Sequence, residues 1–157
     1  MKVLLATEGS KFSRAALKEC GRILANSDNA ELRIISVAET PVVVTEPFAI
    51  SPMYVEELDR AVRERAERYA LEAQAELKKE FPGLSATITV KTITGSPDQM
   101  IVEEAESWGA DLIVTGSHGY GFWKRAWLGS VSSSVVHHAP CSVLVVRPQA
   151  AVTSNGR

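Results

Sequence analysis

Cysteine is scarce in this chain of 157 residues, which holds only Cys20 and Cys141. The two lie far apart and form no CxxC pair, which argues against a structural zinc site, a thiol redox motif and a disulfide-rich secreted fold. A basic excess is missing too. Lys and Arg number 17 against 19 Asp and Glu, leaving a formal net charge of −2, whereas a nucleic-acid binder normally shows a strongly basic balance. Long apolar runs are absent. None approaches the roughly 18 residues of a membrane span, and the opening Met-Lys-Val-Leu-Leu-Ala is too short for a signal-peptide core. Neither an internal repeat nor a low-complexity segment is visible. What is present, 45% hydrophobic and 23% charged residues, is the average of globular domains. A chain of this length forms one domain that buries roughly 70% of its unfolded surface. These features predict a soluble cytoplasmic protein that engages neither membrane nor nucleic acid.

Strand and helix patterns alternate. Val3-Leu4-Leu5-Ala6 is a short continuous apolar run, as suits a strand buried on both faces. Thr7-Glu8-Gly9-Ser10 ends it, and Ser10 or Ser13 can cap a helix whose Ala16, Leu17, Cys20, Ile23 and Leu24 share one face. Asn26 and Asn29 break that helix, and residues 31–37 read as a second strand. Pro41, Pro47 and Pro52 make residues 38–52 a long loop. Residues 53–80 keep a helical period through Val55, Leu58, Val62, Ala66, Tyr69, Ala73 and Leu77, with Glu56–Arg60 and Glu64–Arg68 spaced for ion pairs on the opposite face. Residues 86–93 alternate, which predicts a half-exposed edge strand. Ser96, Pro97 and Gln99 spell a helix start with a capping box. Ile101, Ala105 and Trp108 form that helix's buried face, and Gly109 ends it. A fourth strand covers 111–114, a last helix 130–138 and a fifth strand 141–146. This order implies a single-domain parallel sheet with helices on both faces, over residues 1–148 with a frayed tail at 149–157.

Open parallel sheets take ligands outside the carboxyl ends of their strands, where strand order reverses. Two segments lie at such ends: Thr7-Glu8-Gly9-Ser10, and the stretch from Gly116-Ser117-His118-Gly119 to Gly129-Ser130-Val131-Ser132. The second has the parts of a phosphate site. Gly116 and Gly119 let backbone amides approach a ligand. Gly129 and Ser130 precede a helix whose first amides are unpaired and partly positive. Ser130 and Ser132 add hydroxyls, and Lys124 and Arg125 add charge. It is not a Walker A loop, because Phe122-Trp123 stands where Lys-Ser/Thr is required. On spacing alone, a glycine-rich surface turn with a serine cap is the rival reading, and Phe122, Trp123 and Trp127 fit packing at a partner interface equally well. His118 either meets a phosphate or faces solvent.

Gly116-x₂-Gly119-x₉-Gly129-Ser130, followed by a helix and Val143-Leu144-Val145-Val146, resembles the nucleotide-binding signature of the universal stress protein family. The opening strand and loop, and Asp111-Leu112-Ile113-Val114-Thr115-Gly116, are similar to that family as well, so the resemblance covers residues 1–148. It implies a five-stranded sheet in the order 3-2-1-4-5, of the adenine nucleotide alpha-hydrolase-like kind. It also implies an ATP-binding regulatory protein, with AMP or ADP as further ligands and Mg²⁺ on the phosphates, that dimerises through its last strand. Carried over by position, Gly116, His118, Gly119, Gly129, Ser130, Val131 and Ser132 hold phosphates. Val37 contacts adenine, and Ala6, Thr7 and Glu8 line the adenosine side. The family usually has Asp at the Glu8 position, so the longer side chain shifts that contact. No catalytic or metal-ligating set is expected. Weak ATP hydrolysis or phosphotransfer, and a dimeric scaffold whose nucleotide site is idle, are the alternatives.

Overall fold

The structure, a computed structural model, describes residues 1–39, 51–119 and 128–148. The elements follow the order β1 (Lys2–Ala6), α1 (Lys11–Ala25), β2 (Glu31–Ala38), α2 (Pro52–Glu80), β3 (Thr87–Thr94), α3 (Pro97–Trp108), β4 (Leu112–Gly116), α4 (Ser130–His138) and β5 (Ser142–Val146). All five strands pair in parallel, in the order β3-β2-β1-β4-β5. The order implied by the resemblance is therefore the observed one, and strand order reverses between β1 and β4.

Two cores sit on the two faces of the sheet, because side chains alternate along each strand. Val3, Leu5, Leu32, Ile34 and Val114 pack with Ala16, Leu17, Cys20 and Leu24 of α1 and with Ala70, Ala73 and Leu77 of α2. Leu4, Ala6, Ile35 and Ile113 pack with Ile101 and Ala105 of α3 and with Val135 of α4. Central β1 is apolar from Val3 to Ala6 because both of its faces are covered there. Edge strand β3 alternates between exposed and half-buried residues, as its sequence predicts. Burial pushes the Cys20 thiol up to about 12, so it packs as an inert small hydrophobe. No helix among the described residues is long and apolar enough to cross a membrane.

Three local expectations change. Ser96 is the N-cap of α3 but makes no capping bond. Its hydroxyl is turned to donate to the charged Asp98 Oδ1 at 2.6 Å, and in that position its oxygen accepts no helix amide, so the capping box with Gln99 does not form. Along α2, Arg63 pairs with Asp59 at 2.9 Å, while the pairs expected at Glu56–Arg60 and Glu64–Arg68 are not made. Solvated ion pairs of this kind are nearly isoenergetic, which leaves several equivalent choices. Trp108 is half-buried against the second core, and its ring carries the Arg33 guanidinium at 4.3 Å and the Lys2 ammonium at 5.5 Å. The 38–52 loop between β2 and α2 falls mostly outside the described residues, as do Lys124, Arg125, Phe122, Trp123, Trp127 and the tail at 149–157.

Candidate functional site

A cavity of about 610 Å³ opens at the carboxyl ends of β1, β2 and β4, the size of a small-ligand site at the place where the reversal of strand order predicts one. It gathers all eleven residues proposed from the sequence: Ala6, Thr7, Glu8, Val37, Gly116, His118, Gly119, Gly129, Ser130, Val131 and Ser132.

The two helix starts beside the cavity differ. At α1, the Ser10 hydroxyl accepts from the amides of Phe12 and Ser13 at 3.2 and 3.3 Å. At α4 the N-cap is Gly129, which has no side chain to accept anything. Within the helix the first amide to pair is Ser133, with the Gly129 carbonyl at 2.9 Å. The amides of Ser130, Val131 and Ser132 have no partner among the described residues, as helix geometry dictates, and carry the positive end of the dipole.

Ser117, passed over in the sequence, fixes this start in place. Its amide donates to Val146 O at 2.9 Å, and its carbonyl accepts from Gly129 N at 2.7 Å. The Ser132 hydroxyl also reaches Ser117 O at 2.9 Å and Gly129 O at 3.1 Å. The Ser132 hydroxyl proton is thus committed inside the protein and positions the α4 start, so the hydroxyl donor expected of Ser132 is taken, while its amide remains among the α4-start amides. The Ser130 hydroxyl has no such partner among the described residues.

The three glycines divide by what a Cβ would meet. At Gly116 it would lie 2.7–2.9 Å from the backbone and Cβ of Phe12. The close approach of β4 to α1 by itself requires this glycine, which also lines the cavity. At Gly129 the Cα of His118 is 3.3 Å away and Ser117 O is 3.4 Å away. At Gly119 the nearest atom among the described residues is Glu8 Cγ at 3.9 Å, so none of them requires that position to be bare.

His118 does not simply face solvent. It is half-buried, its ring centroid lies 5.2 Å from that of Phe12, and its Nδ1 is 3.1 Å from the Ser117 hydroxyl. Glu8 is half-buried, and its Oε1 is buried with no hydrogen-bond partner. Burial pushes the Glu8 carboxyl above the usual range, while the Ser10 hydroxyl, nearby backbone amides and the Ser13 hydroxyl pull the other way. A folded value above the unfolded one favours the folded state fully only below the unfolded value, and the benefit is lost as pH rises through the folded value. Glu8→Gln, neutral at every pH, is therefore expected to melt above the wild type at pH 8 and level with it below the ordinary glutamate value of 4.5. Melting curves at the two pH values check this; a gap independent of pH would refute it.

The sequence reading missed one whole wall of the cavity. Val62, Arg65, Ala66 and Tyr69 of α2 line it, and so do Glu39, Pro97 and Ile101. Val62 and Ala66 pack on Ala38. Tyr69 closes over Gly9, whose φ is +80° and whose missing Cβ would fall 2.6 Å from the Tyr69 ring. The four α2 residues recur at i, i+3, i+4 and i+7 and so share a face, but periodicity alone does not say what that face abuts. Among the described residues no group of three or more His, Cys, Asp or Glu is placed to hold a metal ion. His137 and His138 reach back to the Ser133 and Ser134 carbonyls at the end of α4.

An open parallel α/β sheet with a ligand-sized cavity at its switch point defines a class of small-molecule-binding folds. Within that class, the universal stress protein family matches residues 1–147, and the chain belongs to it. Universal stress protein MJ0531 of Methanocaldococcus jannaschii is 34% identical over 146 residues, which cover 93% of this chain and 81% of that protein. Universal stress protein YxiE of Bacillus subtilis is 31% identical over 146 residues, covering 93% and 98%. Among solved structures, UspA from Lactobacillus plantarum is similar with a TM-score of 0.76 and 26% identity, over 94% of this chain and 97% of that one. Two others share the fold at lower identity. One is a universal stress protein in complex with cAMP (TM-score 0.58, 23%, covering 93% and 96%). The other is an Arabidopsis thaliana family member with AMP bound (TM-score 0.61, 19%, covering 99% and 97%).

Proposed function

We propose that this protein is a regulatory module that binds an adenine nucleotide in the 610 Å³ cavity. The observation that carries the reading is the pairing of an uncapped α4 start with an open Gly119 across one pocket. Uncapped amides and a bare backbone suit phosphate oxygens. Val37 and Ile101 offer an apolar wall for a base, and the orphaned Glu8 Oε1 can accept from a ribose hydroxyl or a base N–H. The solved relatives holding cAMP and AMP support the class of ligand. ATP fits the same parts, its phosphates on the α4 start, with Mg²⁺ entering on those phosphates. Edge strand β5, whose Val143, Leu144, Val145 and Val146 are only half-buried, is where a second copy would pair.

Thermal unfolding tests this. Nucleotide at 100 times its dissociation constant stabilises by about 2.7 kcal/mol, a rise of about 5–10 °C for a chain of this size. ATP, ADP or AMP should give that rise and GTP should not. Gly119→Ala should melt like the wild type without ligand and lose most of the rise, because its methyl meets none of the described residues closer than 3.9 Å and belongs to the cavity's lining. Sedimentation of the same samples reads the dimer, and phosphate release reads hydrolysis. No rise with any adenine nucleotide, in protein shown to be free of retained ligand, would overturn the reading.

A further inference from the structure

We propose that Arg65 of α2 takes the phosphate of the bound nucleotide and so sets the site's preference for nucleotide over nucleoside. The inference rests on the nucleotide reading above and adds a residue to it.

The first observation is charge. Among the described residues that line the cavity, the carboxylates are Glu8 and Glu39, and Arg65 is the one side chain that is cationic at every pH. Among the described lining residues, an anionic ligand would otherwise meet two acids and no permanent cation.

The second is the pattern of α2 itself. The helix carries four arginines: Arg60, Arg63, Arg65 and Arg68. On a helix, charges pair at i±3 and i±4. Arg60 has Glu56, Glu57 and Glu64 at those spacings, Arg63 has Asp59 and Glu67, and Arg68 has Glu64 and Glu72. Arg65 has Ala61, Val62, Arg68 and Tyr69, with no acid among them. It forms no ion pair or hydrogen bond among the described residues, whereas Arg63 is paired with Asp59.

The third is direction. Arg65 shares its helix face with Val62, Ala66 and Tyr69, all of which line the cavity. Tyr69 packs over Gly9 and Val62 over Ala38, which holds that face against the ends of β1 and β2. A guanidinium carried on such a wall, with no ion pair or hydrogen bond among the described residues and lining a pocket, suits the fork geometry of a phosphate.

Titration calorimetry with ATP, AMP and adenosine, on the wild type, Arg65→Ala and Arg65→Lys, tests the assignment. Arg65 is an exposed helix position and alanine is the strongest helix former, so Arg65→Ala should fold and melt as the wild type does. Affinity for ATP and AMP should fall about tenfold to a hundredfold in Arg65→Ala, the range of a lost charge-assisted hydrogen bond. Adenosine affinity should stay within about twofold, and Arg65→Lys should recover part of the loss. If the wild type binds nucleotide and Arg65→Ala binds it equally well, the assignment fails while the nucleotide reading stands. An equal loss for adenosine would also overturn it, by placing Arg65 on the nucleoside. If the wild type binds no adenine nucleotide, the underlying reading fails and takes this one with it.

Discussion

Gly116→Ala is expected to melt roughly 4–8 °C below the wild type without any ligand present, the equivalent of about 2 kcal/mol of overpacking in a chain of this size. The cause is contact with backbone. The new methyl would sit 2.7 Å from the Phe12 carbonyl carbon and 2.9 Å from its oxygen and its Cβ. A flexible side chain could swing away, but Phe12 begins α1, and its amide is held by the Ser10 cap. Relief requires β4 and α1 to separate. Any such shift reaches the cavity, because the Phe12 ring lies against His118, so the gain in melting temperature from nucleotide should shrink too. Gly119→Ala is the control, since its methyl meets nothing among the described residues closer than 3.9 Å and should leave the ligand-free melt in place. A melting temperature for Gly116→Ala equal to the wild type would show that the close approach of β4 and α1 is dispensable.

That contrast marks what could be read from the residues. Glycine spacing and turn chemistry point to the loops after two buried strands, and the family resemblance supplies the eleven residues that the fold brings to one cavity. Spacing could not say why each glycine is there. Gly116 and Gly119 look alike in sequence, and only the path of α1 separates packing from open space. Ser117 was illegible for a related reason: its contribution is a carbonyl and an amide, which every residue has. The α2 wall was hidden because the helix has an apolar face along its whole length, and nothing in periodicity says which part of that face borders a pocket. One signal was available. Arg65 is the arginine of α2 without an acid one turn away, and intrahelical spacing can be checked before any fold is known. Ser96 shows the opposite error, a motif with correct spacing that loses to Asp98 two residues on.

The same kind of signal lay in α3, where Ile101, Ala105 and Trp108 define the buried face and Glu104 falls on it at i+3 from Ile101. A glutamate there either disrupts the core or meets cations. It meets two. Arg33 Nη1 and Lys91 Nζ each lie 2.6 Å from one of its oxygens, and the Glu104 side chain is 5% exposed. The strand register supplies them. Ile35 of β2 pairs with Lys91 of β3, so Arg33, two residues earlier, lies diagonal to Lys91 on the same face of the sheet. Burial acts to raise the Glu104 carboxyl, but the hydrogen bonds and charges of Lys91 and Arg33 outweigh it and hold the carboxyl below its usual value. Glu104→Ala should therefore cost about 2 kcal/mol, the range of hydrogen bonds to a charged group, or roughly 4–8 °C. The full penalty of an orphaned buried charge is not expected, because Lys91 is 50% and Arg33 24% exposed and both can turn to water. The sign with pH follows from linkage. A carboxylate held below its unfolded value contributes stability that is present above that value and lost as pH falls through the folded one. The gap between wild type and Glu104→Ala should accordingly be full at pH 7 and narrow as pH falls below the ordinary glutamate value of 4.5. Melting curves across that range decide the matter: a gap that does not narrow in acid would mean Glu104 holds α3 to the sheet by shape and not by charge.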